Sequence, residues 1–319
     1  MSDAASFPLA RYRFDFQATT PIRLPDYAGS MLRGAFGHAL RQLACMTRQK
    51  ECAGCPLMTT CPYPKIFAPL PPAAHPHQKF SAIPVPYIIE PPESGAHEIP
   101  TGAPFSFQMV LVGRALAELP LIILAWRRAL SRGVGALRGT AELISVTHCG
   151  VDGMGETVVH RPDLGALVSH RQNVPISTNG SIKSDTTRVT LQFVTPLRLQ
   201  QNGHALSPEK IDTRALLMAL VRRTTLLAEF HGVGGFAENF PSLLAACGEI
   251  RGEKKLHWRD WTRYSSRQQQ KMTLGGVVGE WVLEGTLDPF SKYLHLGQWL
   301  HVGKEAAFGL GHYRLIANS

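Results

Sequence analysis

No apolar run in this sequence approaches the roughly 18 residues that a membrane span requires. The longest candidate, Leu119 to Trp126, is followed by Arg127-Arg128 and reads as a core helix. The opening residues, Met1 to Ala10, lack the basic-then-apolar pattern of a secretion signal, so a cytoplasmic protein with no membrane partner is expected. A P-loop, an H-E-x-x-H pair and a nucleophile-elbow serine are all missing. Gly232-Val233-Gly234-Gly235 does not complete a dinucleotide fingerprint, and it follows a helix rather than a strand. Acidic residues are in deficit, 24 against 33 Lys and Arg, for a net charge of +9. That balance favours a polyanionic partner, nucleic acid first. Cysteine is scarce outside one segment: of six, Cys45, Cys52, Cys55 and Cys61 fall within 17 residues, while Cys149 and Cys247 stand alone. Without a secretion signal, such a cluster argues for a bound metal rather than disulfides.

What is present reads as two similar passes in 319 residues, enough for two ordinary domains. In the first, Tyr12, Phe14 and Phe16 alternate with Arg13, Asp15 and Gln17, a strand over Leu9 to Thr19. A helix follows from about Tyr27 to Cys45, then the cysteine segment, then a Pro-rich stretch from Pro62 to Pro92 that cannot form regular helix. Strands are expected at 85–89, 105–112 and 141–147, with a helix over 117–130. After a Gly-rich connection, Arg188 to Leu199 opens the second pass as a strand. Ser207-Pro208-Glu209 reads as the start of a helix running to His231, with Ser207 as N-cap. Strands at 256–264 and 276–287, a helix at 289–300 and a last strand from Tyr313 complete it. Each pass is β–α–β–β–α–β, the ferredoxin-like order. The expected fold class is therefore α+β, two tandem ferredoxin-like (RRM-like) domains over 1–180 and 181–319, with a cysteine-rich insertion at about 45–70.

Three segments carry candidate chemistry. On a helical wheel, Leu32, Ala35, Phe36, Ala39, Leu40 and Leu43 form one apolar stripe, and Gly34, Gly37, His38 and Arg41 fall opposite. Two glycines cost a helix about 1 kcal/mol each relative to alanine. Either RNA backbone approaches at Gly34 and Gly37, with His38 as catalyst, or the glycines serve helix-on-sheet packing beside an ordinary surface histidine. The cysteines have the spacing C-x6-C-x2-C-x5-C. Four thiolates suit tetrahedral Zn2+, with an iron–sulfur cluster as the alternative. Such a site has no open position, so its role would be structural; the competing reading is a reduced loop packed by apolar contact. Finally, His301 to Arg314 gathers Gly303, Lys304, Phe308, Gly309 and Gly311, a loop suited to a polyanion or simply a tight turn. Arg263, Arg267 and Lys271 flank Tyr264 in what reads as a polar loop able to touch RNA phosphates. The His75 to His77 tract reads as a loop and a poor metal site.

These segments together resemble the RAMP superfamily, specifically the four-cysteine branch of the CRISPR-associated endoribonucleases that process precursor repeat RNA. The resemblance rests on Leu32-Arg33-Gly34-Ala35-Phe36-Gly37-His38-Ala39-Leu40-Arg41 running into the cysteines and Pro62-Tyr63, on Leu274 to Glu280 with Glu284-Gly285, and on His301 to Gly311. It departs from many members at His301, where they carry a further glycine. The resemblance implies a metal-independent endoribonuclease that cuts within the repeat to give mature guide RNA, by 2′-OH attack leaving a 2′,3′-cyclic phosphate. It implies His38 as the catalytic histidine, with Tyr27 and Arg41 or Lys50 as possible helpers. Its partners would be repeat or guide RNA and subunits of a CRISPR effector complex. Two other readings stay open. One is a non-catalytic RAMP subunit that binds guide RNA in such a complex, and the other a metal-cluster protein whose cysteines do redox work.

Overall fold

A computed structural model describes residues 6–72, 82–92, 95–150, 155–175, 186–232, 238–265 and 270–317. His75 to His77, Gly234, Gly235 and Arg267 lie outside the described residues. Two compact units divide the chain, one of Pro8–Gln172 with Phe230–Gly232, the other of the remaining residues. The chain crosses between them at 172/173, ahead of the expected 180/181. Ser6–Phe7 belongs with the second unit, where it pairs antiparallel with Val174–Pro175.

In the first unit the elements are β1 (Leu9–Ala18), α1 (Gly29–Ala44), α2 (Pro62–Ile66), β2 (Tyr87–Glu90), β3 (Pro104–Val112), α3 (Leu119–Ser131), β4 (Ala141–Cys149) and β5 (Thr157–His160). The strands form one antiparallel sheet in the order β2-β3-β1-β4-β5. The alternation of β1 holds: Tyr12, Phe14 and Phe16 are buried, and Arg13 pairs with Asp15 and Glu156 on the other face. On the buried face Phe107 of β3 lies 4.5 Å from Trp126 of α3, which stacks at 5.0 Å on Phe36 of α1. Each such aromatic contributes roughly 1.5–3 kcal/mol by leaving water, so α1 is fixed by its apolar stripe and its opposite face is left for other work. The Pro-rich stretch does contain one helical turn, α2, because Pro62 stands in its first turn, where a missing N–H costs nothing.

In the second unit the elements are β6 (Arg188–Leu197), α4 (Thr213–His231), α5 (Phe240–Ala246), β7 (Arg251–Ser265), β8 (Gln270–Glu284), α6 (Ser291–Leu300) and β9 (Tyr313–Ala317). Its sheet is antiparallel in the order β7-β8-β6-β9. Val189, Leu191 and Phe193 of β6, Trp281 of β8, Tyr293 of α6 and Tyr313 of β9 share one core. The expected start of α4 is corrected. Ser207 closes a turn by accepting from the N–H groups of Lys210 and Ile211, and the helix begins at Thr213 beside Asp212, whose Oδ1 accepts from Ala215 N at 2.7 Å. The segment expected as a polar loop is also corrected. Arg263 and Lys271 lie on the arms of a long hairpin, β7 and β8, in register as Arg263↔Met272 and Tyr264↔Lys271.

Candidate active site

α1 presents two chemically different faces. Leu32, Phe36, Ala39 and Leu40 are buried, while Gly34, His38 and Gln42 are exposed at successive i, i+4 positions. The Nε2 atoms of Gln42 and His38 are 2.7 Å apart. An amide nitrogen can only donate, so it fixes His38 with its proton on Nδ1 and a lone pair on Nε2. One turn earlier, Gly34 has nothing within 4 Å of where a side chain would begin. Backbone is therefore bare beside the imidazole. Gly37 differs: the Phe67 ring fills the space a Cβ would need, and the residue is buried. It is a packing glycine, and the expected approach of RNA at that position is corrected.

The expected helpers are placed as follows. Tyr27 is 5% exposed just before α1, whereas His38 is at the surface. Arg41 Nη2 donates to the carbonyls of Gln49 at 2.5 Å and Lys50 at 2.7 Å, and its guanidinium lies 5.7 Å from the Tyr63 ring. Arg41 thus ties the His38 helix to the cysteine segment.

That segment begins at the helix end itself, where Cys45 N donates to Arg41 O. Cys45, Cys52, Cys55 and Cys61 are all free thiols, partly exposed, and line one pocket with Met58 and Tyr63. Thr47 Oγ1 lies 3.4 Å from Cys55 Sγ, and Cys61 Sγ is 3.8 Å from Ala44 O. Although burial pushes the Cys45 thiol up, the Arg48 backbone, Thr47 and Arg41 together hold it below the ordinary range. Burial raises Cys52. Four thiols around one pocket fit a tetrahedral ion such as zinc.

The glycine loop is closed on itself. The N–H groups of His301, Val302, Lys304, Phe308, Gly309 and Gly311 donate to Gly297, Gly311, Arg198, Glu305, Ala306 and Pro196. His312 N donates to Thr195 Oγ1. Gly311, at φ +71°, has the Val302 carbonyl where a Cβ would stand, and Gly303, at φ +92°, faces the Arg198 carbonyl. The expected cradle of free amides is corrected accordingly, because most of the loop's donors are spent on carbonyls of the loop and of residues 196, 198 and 297. Phe308 is buried, an anchor rather than an RNA contact, and Lys304 is the exposed cation. His301 takes φ +54°, the conformation for which a glycine is expected, and its ring stacks on His312 at 4.7 Å. Half-buried Arg223 donates through Nε to Leu300 O at 2.5 Å, and burial pushes its guanidinium pKa down to about 10.

Sequence reasoning missed Gln42, although its position four residues after His38 was a usable signal.

Comparison with known proteins follows the same division of the chain. Residues 7–172 match the family model of the AF_1859 N-terminal domain. Residues 191–313 match that of the CRISPR-associated endoribonuclease Cas6. No curated protein matches. Among solved structures, Thermus thermophilus Cas6 (TTHB231) is 14% identical, with 98% of this chain and 100% of that one covered at a TM-score of 0.53. A product complex of Cas6 (TTHA0078) is 15% identical, with coverages of 96% and 98% and a TM-score of 0.51. A partial Cas6-RT-Cas1–Cas2 complex is 13% identical, with 99% of this chain and 47% of that one covered at a TM-score of 0.57. Likeness at these identities is likeness of fold: mixed α+β with antiparallel sheets.

Proposed function

Because residues 191–313 match the Cas6 endoribonuclease family, we propose that this Cas6-type RAMP chain cleaves CRISPR precursor RNA within the repeat, with His38 as the catalytic residue. The observation that carries this reading is the exposed imidazole, oriented by Gln42 and flanked by the bare backbone of Gly34. The strand orders of both units fit tandem ferredoxin-like domains, which leave one sheet face open for a ligand.

RNA carries its own nucleophile, so the chemistry needs no metal to generate one. The 2′-OH displaces the Gln42 amide from Nε2 of His38, whose lone pair then takes its proton as that oxygen attacks the adjacent phosphorus. The P–O5′ bond breaks, leaving a 2′,3′-cyclic phosphate and a 5′-OH once the leaving oxygen gains a proton. Lys304, the exposed cation of the glycine loop, serves the RNA backbone. Arg41 acts here as a positioning residue, holding the helix against residues 49–50. Zinc on Cys45, Cys52, Cys55 and Cys61 would pin the irregular segment that Arg41 grips. Repeat RNA is the substrate, and other CRISPR proteins are the assembly partners.

The test compares wild type with His38→Ala on labelled repeat RNA, reading binding and cleavage separately. Retained binding with lost cleavage supports the reading. Tight binding without cleavage by either protein makes the chain a guide-RNA holder.

A further inference from the structure

One tryptophan is left at the surface. Of the five, Trp126 and Trp281 are fully buried and Trp261 and Trp299 are 6% exposed, but Trp258 is 39% exposed. It stands on β7, an edge strand, paired with Val277. Val277 is also the last residue of β8 in register with β6, so beyond it the hairpin arms pair only with each other. Trp258 marks the root of that overhanging arm.

The indole is held in place. Its Nε1 donates to Asp260 Oδ1 at 2.7 Å, two residues along the same strand face. Its ring lies over Gly275 on the facing arm, where any Cβ would run into the indole and the Asp260 carboxylate. A glycine seat and a carboxylate lock thus fix a large aromatic surface that belongs to no core cluster. Burying an indole rewards a fold, whereas orienting an exposed one does not. The arrangement therefore makes sense as a prepared contact surface, because a side chain already fixed loses little freedom when something binds. Lys255 and Arg259 are exposed on the same edge strand, on the face opposite the indole.

We propose that Trp258 is a stacking platform for a nucleobase of single-stranded RNA, oriented by Asp260 and Gly275. The proposal rests on the RNA-binding reading above. Aromatic stacking is tolerant of sequence, since every base has a π-face.

The test titrates the full chain with short single-stranded oligoadenylate and, separately, with hairpin RNA. Wild-type tryptophan emission should be quenched by oligoadenylate. Trp258→Ala should bind it roughly 5- to 100-fold more weakly and lose the quenching. Trp258→Phe should keep most of the affinity, and Gly275→Ala, which unseats the ring, should lose part of it. If Trp258→Ala binds as tightly as wild type, the platform is refuted and Trp258 becomes a residue for docking another protein. If wild type binds hairpin RNA but not oligoadenylate, the platform fails while the RNA reading stands. If wild type binds neither RNA, both fail.

Discussion

Gln42 and His38 face each other across one turn of α1, their Nε2 atoms 2.7 Å apart, and the amide thereby engages the imidazole's one lone pair and leaves the ring proton on Nδ1. Removing the imidazole with His38→Ala should lower the cleavage rate by about 100- to 10,000-fold, the usual share of general acid–base catalysis. Gln42→Ala should cost far less, lowering kcat with little change in KM. An unchanged kcat in Gln42→Ala would remove Gln42 from any positioning role.

The two glycines of α1 should separate in their responses. Gly37→Ala forces the Phe67 ring aside and should destabilise the protein by about 1–3 kcal/mol. Gly34→Ala meets open space and should stabilise the helix by up to about 1 kcal/mol, while crowding the approach to His38 and weakening RNA binding. Thermal unfolding and RNA titration of the two variants check both signs.

Stability should depend on the pair His148 and His170, whose rings lie 5.0 Å apart beside Tyr12. Tyr12 O–H lies 2.7 Å from His170 Nε2, and His170 Nδ1 lies 2.9 Å from the carbonyl of Val168. Burial, and then the charge of His170, hold His148 below the ordinary histidine range. The unfolded chain therefore binds more protons than the folded one as pH falls below about 6.5. Stability should be lost between that pH and the lower folded pKa. His148→Gln should flatten the dependence of Tm on pH in this window, and an unchanged slope would place the acid sensitivity elsewhere.

Loss of the metal should act through structure. Purified protein should contain equimolar zinc, and Cys52→Ser with Cys55→Ser should remove it. That double variant should lower Tm and loosen the segment gripped by Arg41. Readdition of zinc should restore wild-type Tm after chelation and leave the double variant unchanged. Protein free of zinc at full stability would reduce the cysteines to a packed loop.

The elements that position the site were legible where one face alone is buried. The alternation of Tyr12, Phe14 and Phe16 and the stripe of Leu32, Phe36 and Leu40 both follow from local period. The site was less legible where distant chain decides. The wheel puts Gly37 with His38, yet Phe67, thirty residues on, covers it. Glycines 303, 309 and 311 announced a loop, but not that carbonyls of residues 196 and 198 would satisfy its amides. Ser207-Pro208 carries the signature of a helix start, and Asp212 wins because its carboxylate reaches Ala215 N. The arms of β7 and β8 read as loop near Arg263 because an overhanging hairpin has no core face to impose alternation.

Cleavage through the RNA's own 2′-OH, with His38 moving the proton, is the proposal on which the rest depends. Single-turnover cleavage of repeat RNA in EDTA, with end-group analysis and a matched substrate carrying a single 2′-deoxy residue at the cut site, tests it most directly. The expected result is one cut leaving a 2′,3′-cyclic phosphate, no cut in the deoxy substrate, and cleavage slowed at least about 100-fold in His38→Ala despite binding. A cut in the deoxy substrate, or full activity in His38→Ala, would contradict it.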